Sequence, residues 1–356
     1  MVSQQSLLSL IADGEWHSGE ALGEAFGISR AAIWKQLQQL QAAGLVVDSE
    51  RGKGYRLSHP LQMLDADRIR SGLSSEASLL LLRLDVEFSI DSTNSRAMEL
   101  VAAGMVDGQN YSGRALFAEQ QTAGRGRRGK VWESPLGRNI YSSLIWRFSA
   151  GASALSGLSL AVGVAAVKAL EALGYSGIEL KWPNDLLWRG RKLGGILLEM
   201  SGDAAGPCYV VIGIGINLTM SEMLASSIDQ SELASDNSAQ AEAINIDQPW
   251  ADLLELGGGV PVKKNAIAAE LLNQLLPMLV EFEKQGFGSL VSEWQARDAF
   301  VGCDIQLQLG AEKVIGQYVG IEADGAITIA TSNGRQSFNG GEVSLRGLDN
   351  KLSGDS

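Results

Sequence analysis

A chain of 356 residues is longer than one hydrophobic core usually supports, so two or three domains are expected. Its 41 acidic and 29 basic residues give a formal charge of −12, which argues against a nucleic-acid coat protein or a polybasic membrane binder but allows a small basic patch. With two Cys and two His, the chain offers no disulfide framework or Cys-rich zinc site. The same scarcity argues against catalysis by Ser-His-Asp, Cys-His or H-E-x-x-H groups.

The first 58 residues have the pattern of a winged helix-turn-helix. Ser18 and Ser29 stand at the N-cap positions of two helices, and Gly44 ends the second of these. Ile33 and Leu37 recur at helical spacing and would pack this helix on its neighbours. The predicted order is helices at 6–12, 19–26 and 30–43, then short strands at 45–47 and 55–57.

The same segment carries a local positive charge. Residues 29–56 contain five basic and two acidic residues, which leaves +3 inside a chain of −12. A recognition helix and wing with this charge suit a DNA groove and its phosphates. The alternative is a helix-turn-helix that serves only protein contacts or allosteric coupling. The residues predicted to face DNA are Ser29, Arg30, Lys35, Gln36, Arg51 and Lys53.

From residue 67 to about 287, strands and helices alternate as in an α/β or α+β domain of catalytic size. Residues 149–167 form an uncharged run rich in Gly, Ala and Ser, which indicates a buried helix rather than a membrane span. The opening Met-Val-Ser-Gln-Gln lacks the basic region of a secretory signal, so we expect a cytoplasmic protein with no membrane partner. Strands are predicted at 84–88, 114–119, 139–146, 178–181, 194–200 and 208–214, and helices at 95–103, 153–173 and 264–285.

The last third of the chain has two different patterns. Residues 220–248 are acidic and rich in Ser, Asp, Gln and Ala, which indicates an insertion or mobile loop. After residue 298, hairpin signals at Asp324-Gly325 and Asn333-Gly334 separate short strands, as in a small β-barrel. These strands are predicted at 304–309, 313–321, 326–330 and 341–346, before a disordered tail at 351–356.

The densest group of glycines and cations is the glycine-arginine loop, residues 121–130. It contains Gly124-Arg125-Gly126-Arg127-Arg128-Gly129-Lys130, in which glycines let backbone N–H groups approach an anion and the cations neutralise it. This predicts a phosphate-binding loop, with a solvated basic loop as the alternative. The spacing matches G-x-G-x-x-G, but residues 131–135 and 139–146 are predicted to be extended, and a Rossmann oxidoreductase needs a helix there.

Three further segments offer candidate ligand-binding residues. In Lys181-Trp182-Pro183-Asn184-Asp185, a turn after a strand presents Asp185, although a purely structural turn around a buried Trp explains it equally well. Lys192, beside Gly194-Gly195, can face a ligand oxyanion. Asp91-Ser92-Thr93-Asn94 lies between a strand and a helix, where a helix cap is the alternative. Glycines alternate with Ile before Asn217 and allow close approach of another group.

Together these segments resemble the bifunctional biotin protein ligase/biotin operon repressor family over nearly the whole chain. The carrying motifs are the winged helix-turn-helix, Ser-Thr-Asn, Gly-Arg-Gly-Arg-Arg-Gly, Lys-Trp-Pro-Asn-Asp, Arg-Lys-Leu-x-Gly-Ile and the final Gly-Gly-Glu-Val-Ser-Leu-Arg. The Gly-Arg-Gly-Arg-Arg-Gly and Lys-Trp-Pro-Asn-Asp pair is the most specific. The resemblance implies an α+β fold with a winged helix-turn-helix at 1–60, a central α/β ligase domain with a mixed sheet at 65–297, and an SH3-like small β-barrel at 298–350.

The resemblance also implies a two-step reaction. Biotin and Mg-ATP give biotinoyl-AMP and pyrophosphate, and the biotinoyl group then passes to one lysine of the biotin carboxyl carrier subunit of acetyl-CoA carboxylase. The nucleophiles are the carboxylate of biotin and the lysine of the acceptor, so the enzyme needs positioning and charge stabilisation rather than a covalent intermediate. The scarcity of His and Cys agrees with such a reaction.

By resemblance, each motif receives a role, and Mg²⁺ arrives with ATP rather than at a protein metal site. Asn184 and Asp185 are placed near the activated group or the metal. The biotin-binding residues are Ser92, Thr93, Asn94, Gln121, Gly124, Arg125, Lys192, Gly195 and Ile196. The nucleotide-binding residues are Arg127, Arg128, Trp132, Asn184 and Asn217, and the catalytic residues are Lys192, Arg125, Arg127 and Asp185.

The implied partners are the carrier protein, operator DNA and a second copy of the chain when biotinoyl-AMP is bound, so that the intermediate doubles as corepressor. One alternative is a lipoate protein ligase, which shares the catalytic architecture but does not usually carry the N-terminal helix-turn-helix. Another is a transcription factor that senses biotin without catalysis, against which Lys192 and the intact glycine-arginine loop argue. The segment 220–248 is longer and more acidic than the family pattern, so the resemblance does not define the surface that docks the carrier protein or the edge of the dimer.

Overall fold

The computed structural model describes residues 4–203, 206–222, 248–309, 312–339 and 343–347. Most of the acidic segment predicted at 220–248 therefore lies outside the described residues, as does the tail predicted at 351–356. None of the helices within these ranges is long and apolar enough to cross a membrane.

The N-terminal region, called the head below, is a winged helix-turn-helix. Ser18 and Ser29 are the N-caps of its second and third helices and accept hydrogen bonds from the amides of Ala21 and Ala32. The first strand begins later than predicted, at Val47, because Leu45 is buried in the core of the head instead of pairing in the ladder. The elements are α1 (Gln4–Ile11), α2 (Gly19–Phe26), α3 (Arg30–Ala42), β1 (Val47–Glu50) and β2 (Gly54–Leu57).

A seven-stranded mixed sheet, the central sheet, forms the middle of the described chain. It comprises β3 (Arg83–Glu87), β4 (Arg114–Ala118), β5 (Asn139–Phe148), β6 (Ile178–Lys181), β7 (Asp185–Trp188), β8 (Arg191–Gly202) and β9 (Cys208–Asn217). The strand order is β3-β4-β5-β9-β8-β7-β6, with β3 parallel to β4 and the other pairs antiparallel. Strand β7 was not predicted, because the turn before it reverses the chain directly into a hairpin with β6.

Helices cover both faces of the central sheet, so β5 is buried almost throughout. On one face lies α6 (Thr93–Asp107), whose Ala97 and Val101 pack with residues of β4, β5 and β9. The helices of the other face, α7 (Leu158–Ala172) and α9 (Lys264–Gln285), pack together and share the main core. The helix predicted from residue 153 is a 3₁₀ turn before Gly157, whose φ of 76° separates the turn from α7.

Three short helices complete the central region: α4 (Ala66–Ser71), α5 (Ser75–Leu80) and α8 (Leu253–Leu256). The first two were not predicted, although Asp65 and Ser74 cap them with their side chains. Both pack against α9. A last short helix, α10 (Val291–Gln295), leads to the C-terminal strands.

The C-terminal region is an antiparallel sheet, here the C-terminal sheet, in the order β13-β12-β11-β10-β14. Its strands within the described residues are β10 (Asp304–Leu309), β11 (Glu312–Ile321), β12 (Ile327–Thr331), β13 (Gly334–Phe338) and β14 (Val343–Gly347). Strand β13 is additional to those predicted and forms the second half of the hairpin at Asn333-Gly334. Ile305 and Ile329 belong to the same hydrophobic cluster as the central sheet, so this sheet packs on the central domain.

The head and the central domain share apolar contacts. Leu136, which precedes β5, is buried in the hydrophobic cluster of the head, and Leu61 of the connecting segment lies there too. Glu119 forms a buried ion pair with Lys264 and also accepts a hydrogen bond from the backbone N–H of Leu64, which lies in the connecting segment. Glu119 therefore fixes this segment to the central domain. The connection is therefore anchored at the end of β4, next to the glycine-arginine loop.

Candidate functional site

The turn before α6 supplies the first polar residues of the site. Ser92 is the N-cap of α6, with its hydroxyl 3.4 Å from the N–H of Ser95, and it is buried. Thr93 and Asn94 are buried in the first turn, and Ser143 of β5 lies between them, with its hydroxyl 2.8 Å from Thr93 Oγ1 and 2.6 Å from Asn94 Oδ1. The helix-cap interpretation of this turn is therefore correct, and the same side chains also connect the turn to the central sheet.

The glycine-arginine loop is joined to this turn by Gln121. Its Oε1 accepts hydrogen bonds from the backbone N–H of Thr93 at 2.8 Å and from the Thr93 hydroxyl at 3.1 Å, while its Nε2 donates to Ser134 at 3.1 Å. Gly124 passes so close to the returning chain that a Cβ there would lie 2.3 Å from the carbonyl oxygen of Trp132. Glycine is thus required at this position by close approach rather than by a positive φ.

Trp132 lies on the glycines of the central sheet. A Cβ on Gly215 of β9 would be 2.6 Å from its ring, and one on Gly195 of β8 would be 3.3 Å away. The Lys192 ammonium sits 5.4 Å from the ring centroid, within cation–π range. The indole N–H is buried, and no acceptor for it exists among the described residues. The alternation of Gly and Ile before Asn217 predicted the close approach of another group, and that group is the Trp132 ring.

Lys192 and Asp185 form an ion pair at 2.9 Å, and both side chains are largely buried. A register shift between β7 and β8 at Leu186/Leu187 brings the two residues together. On its other side, Lys192 is held through its backbone, because its N–H donates to Pro249 and its carbonyl accepts from Ala251. The buried Asn217 amide donates to the carbonyls of Lys192 and Ala251. It therefore holds the segment that begins at residue 248 against β8.

Two arginines of the loop reach the sheet, and each has a partner there. Arg125 pairs with Glu199 of β8 through two hydrogen bonds, and Arg127 donates to Asn184 Oδ1 at 3.2 Å. Burial lowers the pKa of the Arg127 guanidinium from its ordinary value, and the neighbouring Arg128 lowers it further, while Asp185 opposes the shift. Arg128 is exposed and has a φ of 56°, a left-handed conformation that turns the chain before Gly129.

The structure thus gathers most of the predicted residues into one cluster on β7, β8, the loop and the turn before α6. Ile196 is buried, and its backbone bonds to the carbonyl of Asn184. Asn94 and Asn217 donate hydrogen bonds from their amide groups to protein atoms and so hold neighbouring segments together. Sequence reasoning assigned no role to three polar residues of the cluster: Ser134, Ser143 and Glu199.

The chemistry open to this cluster is that of cations and backbone amides. Lys192, Arg125 and Arg127 can neutralise carboxylate and phosphate oxygens in a partly buried site, where such interactions are stronger than in water. Within the described residues, no group of three His, Cys, Asp or Glu side chains is arranged to hold a metal ion. Both cysteines are free.

A second candidate surface lies on the head. Arg30, Lys35, Arg51 and Lys53 are exposed on α3 and the wing between β1 and β2, as predicted, and Ser29 caps α3 at this surface. Trp16 was not predicted to take part, but the Arg56 guanidinium stacks 4.7 Å from its ring centroid and Lys53 lies 5.6 Å away. The basic wing is therefore held against the preceding segment by an aromatic ring. Trp34 adds an exposed aromatic side chain to α3.

Family profiles match three consecutive parts of the chain. Residues 3–56 match the profile described as "HTH domain", residues 88–217 match "Biotin/lipoate A/B protein ligase family", and residues 302–346 match "Biotin protein ligase C terminal domain".

Curated relatives match over almost the full length. The bifunctional ligase/repressor BirA of Salmonella typhimurium is 39% identical over 344 residues, which cover 97% of this chain and 98% of that protein. The protein of the same name from Escherichia coli is 37% identical and covers 96% and 97%. The biotin–[acetyl-CoA-carboxylase] ligase of Paracoccus denitrificans is 34% identical over 72% of this chain and 98% of its own length.

Solved structures show the same fold over three quarters of the chain. The biotin protein ligase of Aquifex aeolicus in complex with biotin and ATP superposes with a TM-score of 0.59 at 26% identity, covering 75% of this chain and all of that one. A point mutant of the same Aquifex aeolicus ligase in complex with biotin gives a TM-score of 0.58 at 26% identity and covers 75% and 99%.

Proposed function

Because the chain belongs to the biotin/lipoate A/B protein ligase family, and within it to the bifunctional ligase/repressors, we propose that it joins biotin to a protein lysine and represses transcription. Biotin and ATP give biotinoyl-5′-AMP, and the biotinoyl group passes to a lysine of the biotin carboxyl carrier subunit of acetyl-CoA carboxylase. The observation that carries the proposal is the arrangement of Lys192 and Arg127 beside Trp132 and the Asn184–Asp185 turn.

In the first step, the biotin carboxylate attacks the α-phosphorus of ATP and pyrophosphate leaves. Negative charge builds on the phosphoryl oxygens, and we assign Lys192 and Arg127 to stabilise it, with Arg125 at the biotin carboxylate and Arg128 at the phosphates. The residues that suit Mg²⁺ carried by ATP are Asp185 and Asn184, since Mg²⁺ usually takes one or two protein oxygens besides phosphate and water. Bound Mg²⁺ would supply charge neutralisation for the leaving pyrophosphate.

Biotin itself is assigned to the region between the turn before α6 and β8. Thr93 and Gln121 provide polar groups for the ureido ring, and Gly195 and Ile196 provide a close-packed wall. Ser92, Gly124 and Asn94 maintain this region by capping α6, by allowing the loop to return closely, and by bonding to Ser143. Trp132 and Asn217 are assigned to the adenosine side, where the indole N–H, which has no acceptor among the described residues, can donate to the nucleotide.

In the second step, the acceptor lysine attacks the biotinoyl carbonyl and AMP leaves. No enzyme nucleophile is needed, so the role of the site is to hold the mixed anhydride away from water until the carrier protein docks. The proposed division of labour is a DNA-binding domain at 1–60, a ligase domain at 65–297 and a small β domain at 298–350. The two free cysteines agree with a reducing cytoplasm as the working compartment.

The second activity rests on the head. The exposed basic residues of α3 and the wing suit the major groove and the flanking phosphates, and Gln36 lies on the same helix. A two-fold symmetric operator requires two such heads, so we propose a homodimer that forms when biotinoyl-AMP is bound.

The direct test is transfer of radiolabelled biotin to a purified carrier domain in the presence of ATP and Mg²⁺. Incorporation that depends on ATP and on the acceptor lysine supports the proposal. A parallel reaction with labelled lipoate distinguishes the alternative ligase, because preferential transfer of lipoate would overturn the biotin assignment. Binding of biotin without pyrophosphate exchange would leave only a biotin-sensing transcription factor.

A further inference from the structure

Helix α3 exposes a large aromatic side chain, Trp34, which has no role in the surface predicted to face DNA. Trp34 is 54% exposed, whereas the neighbouring Ile33 is fully buried in the core of the head. A single exposed hydrophobic residue is ordinary on a protein surface, so its surroundings decide whether it has a function.

Trp34 belongs to a continuous exposed side of the helix, called the outer face of α3 below. At 3.6 residues per turn, four exposed residues project from the half of the helix that points away from its buried residues. They are Ala31, Trp34, Lys35 and Gln38. Gln38 donates to Gln41 at 3.0 Å, and Gln41 donates to the carbonyl of Val47 in β1 at 3.3 Å. The outer face of α3 therefore adjoins the wing.

The charges around Trp34 complement a polyanion. Exposed cations border the indole on α3 and on the wing, and they are Arg30, Lys35, Arg51 and Lys53. Each of the two acidic residues of segment 29–56 is bonded to a cation, Asp48 to Arg56 and Glu50 to Lys53, both at 3.0 Å. The centre of a protein–protein interface is depleted of charged residues, so an indole among cations is a poor match for a protein partner.

DNA offers this indole one apolar group in the major groove, the C5 methyl of thymine. The surrounding cations can contact phosphates, which position a protein on the duplex but carry no sequence information directly. An indole does not neutralise a phosphate, and its gain in free energy comes from apolar surface that it covers.

We propose that Trp34 is a specificity-determining residue of the DNA-binding head, and that its indole packs on a thymine methyl in the major groove. Lys35 and the wing then supply affinity for any sequence, while Trp34 distinguishes thymine from the other bases. The inference rests on the proposed function, in which α3 enters the major groove of an operator.

The first test uses the unaltered full-length chain. With biotin and ATP present, the chain selects duplexes from a randomised DNA library, and the selected sequence becomes the probe. Each thymine of the probe is then replaced in turn by uracil, which lacks only the C5 methyl. Affinity, measured by fluorescence anisotropy, should fall about three- to fivefold at one or two positions in each half of the probe, the effect of leaving one methyl uncovered. Wild-type affinity that no uracil substitution changes overturns the proposal.

The second test identifies the side chain that covers the methyl. Trp34→Ala should weaken binding of the thymine probe by about five- to fiftyfold and bring the thymine and uracil probes to within about 1.5-fold of each other. The slope of log K against log salt should stay at the wild-type value, because Trp34 carries no charge. A Trp34→Ala chain that distinguishes thymine from uracil as well as the wild type does overturns the proposal.

Two variants serve as controls. Leu79→Ala removes a hydrophobic side chain on α5 that is 88% exposed, and it should leave DNA affinity unchanged. Lys35→Ala should weaken both probes equally and lower the salt slope, so that the ratio between thymine and uracil is kept. Equal melting midpoints and equal biotin transfer show that Trp34→Ala is folded. If it is not, Trp34→Phe replaces it and should retain an intermediate preference for thymine.

The outcomes separate this inference from the proposed function. If the wild type enriches no sequence from the library, the DNA-binding part of the proposed function fails, and the role of Trp34 fails with it. If the wild type selects a sequence but is indifferent to its methyl groups, only the role of Trp34 fails. Weaker self-association of Trp34→Ala in sedimentation velocity without DNA would assign the indole to a contact between two copies of the chain, and this result also overturns the proposal.

Discussion

At the scale of single residues, Trp132 is accommodated because residue 215 has no side chain. A Cβ at that position would lie 2.6 Å from the indole ring, inside the closest approach of carbon atoms. The ring also receives Lys192 near its face, so a displaced Trp132 would disturb the cation assigned to the phosphoryl oxygens. The position of one glycine on β9 therefore sets the geometry of two functional groups.

Gly215→Ala is expected to raise the KM for ATP at least about fivefold, since overpacking a tight contact costs roughly 1–3 kcal/mol. Steady-state adenylation at saturating biotin measures the effect. The matched control is Gly288→Ala, where a new Cβ would meet its nearest neighbours at 4.0 Å and the KM should not change. Identical ATP kinetics in the two variants would contradict the assignment of Trp132 to the nucleotide side.

Lys192→Ala should slow adenylation by at least ~100-fold, the scale of removing one preorganised charge-stabilising donor. It also leaves the buried Asp185 carboxylate without its 2.9 Å partner, which adds electrostatic repulsion toward phosphate. Pyrophosphate exchange is the measurement, and Lys168→Ala, which breaks an exposed pair with Glu293, is the control. Exchange at the wild-type rate in Lys192→Ala would remove Lys192 from the mechanism.

The residues of the site were predictable from sequence where their motif is local. The loop arginines, Lys192 and the Ser-Thr-Asn turn stand out because glycines and polar residues cluster in short segments. Glu199 was missed for a physical reason: it follows the apolar run Ile196–Leu198 within β8, and its partner Arg125 is 74 positions earlier, so only the folded chain brings the two together. Asn94 and Asn217 were predicted to bind biotin and the nucleotide, and sequence alone does not show that their amides also bind protein atoms.

At the scale of elements, the long and strongly patterned segments were predicted, whereas several short ones, among them α4, α5, β7 and β13, were not. Helices α6 and α9 and strands β5 and β9 have clear periodicity or long apolar runs. The six-residue helices α4 and α5 contain too few turns to show a period, although each has a good N-cap. Their helical state depends on packing against α9, a contact that local sequence does not encode.

The junction between the central and C-terminal sheets predicts a pH effect on stability. Asp298 accepts hydrogen bonds from the Tyr318 hydroxyl at 2.5 Å and the Phe300 amide at 3.1 Å. Burial raises the pKa of its carboxyl to about 6, against hydrogen bonds that lower it, and the nearby Glu179 raises it further. Because the folded pKa lies above the unfolded value, protonation of Asp298 stabilises the folded state at low pH, and this contribution is lost as pH rises through about 6.

Asp298→Asn should therefore melt close to wild type at pH 4.5 and above wild type at pH 8, because the amide keeps an acceptor without a buried charge. Thermal unfolding followed across this range gives the comparison. Asp304→Asn, on the exposed end of β10, is the control and should follow the wild-type profile. Melting curves of Asp298→Asn that run parallel to wild type at all pH values would show that this carboxyl does not titrate in the folded protein.

Helix α3 predicts how DNA binding should depend on salt. Lys35 is exposed, and as a phosphate contact it would release about one condensed counterion. Lys35→Ala should weaken operator binding and reduce the slope of log K against log salt by about one, while biotin transfer is unchanged. Fluorescence anisotropy at several salt concentrations measures the slope. An unaltered slope would place Lys35 away from the phosphates.

At the scale of the whole molecule, the two activities meet at the anchored connection between the head and the ligase domain. The buried Glu119 binds both Lys264 and the backbone of the connecting segment, and it lies two residues before Gln121 of the glycine-arginine loop. A rearrangement of the loop around a ligand can therefore reach the head through packed groups rather than through a flexible tether.

The expected result is tighter operator binding in gel shifts with biotin plus ATP than with either alone, accompanied by dimer formation in sedimentation velocity. The Lys192→Ala variant supplies the control, because its adenylation should be at least ~100-fold slower, so that little intermediate forms during the assay. Equal DNA affinity with and without the ligands would remove biotinoyl-AMP as corepressor.

The apolar contact between Leu136 and the head has a consequence for evolution and for engineering. Leu136 belongs by sequence to the ligase domain, yet it is buried only because the head covers it together with Leu61, and Phe88 packs at the same place. A chain shortened to begin at residue 65 would expose this patch to water and would tend to self-associate. A related ligase that works without such a head is therefore expected to carry polar residues at the positions equivalent to Phe88 and Leu136.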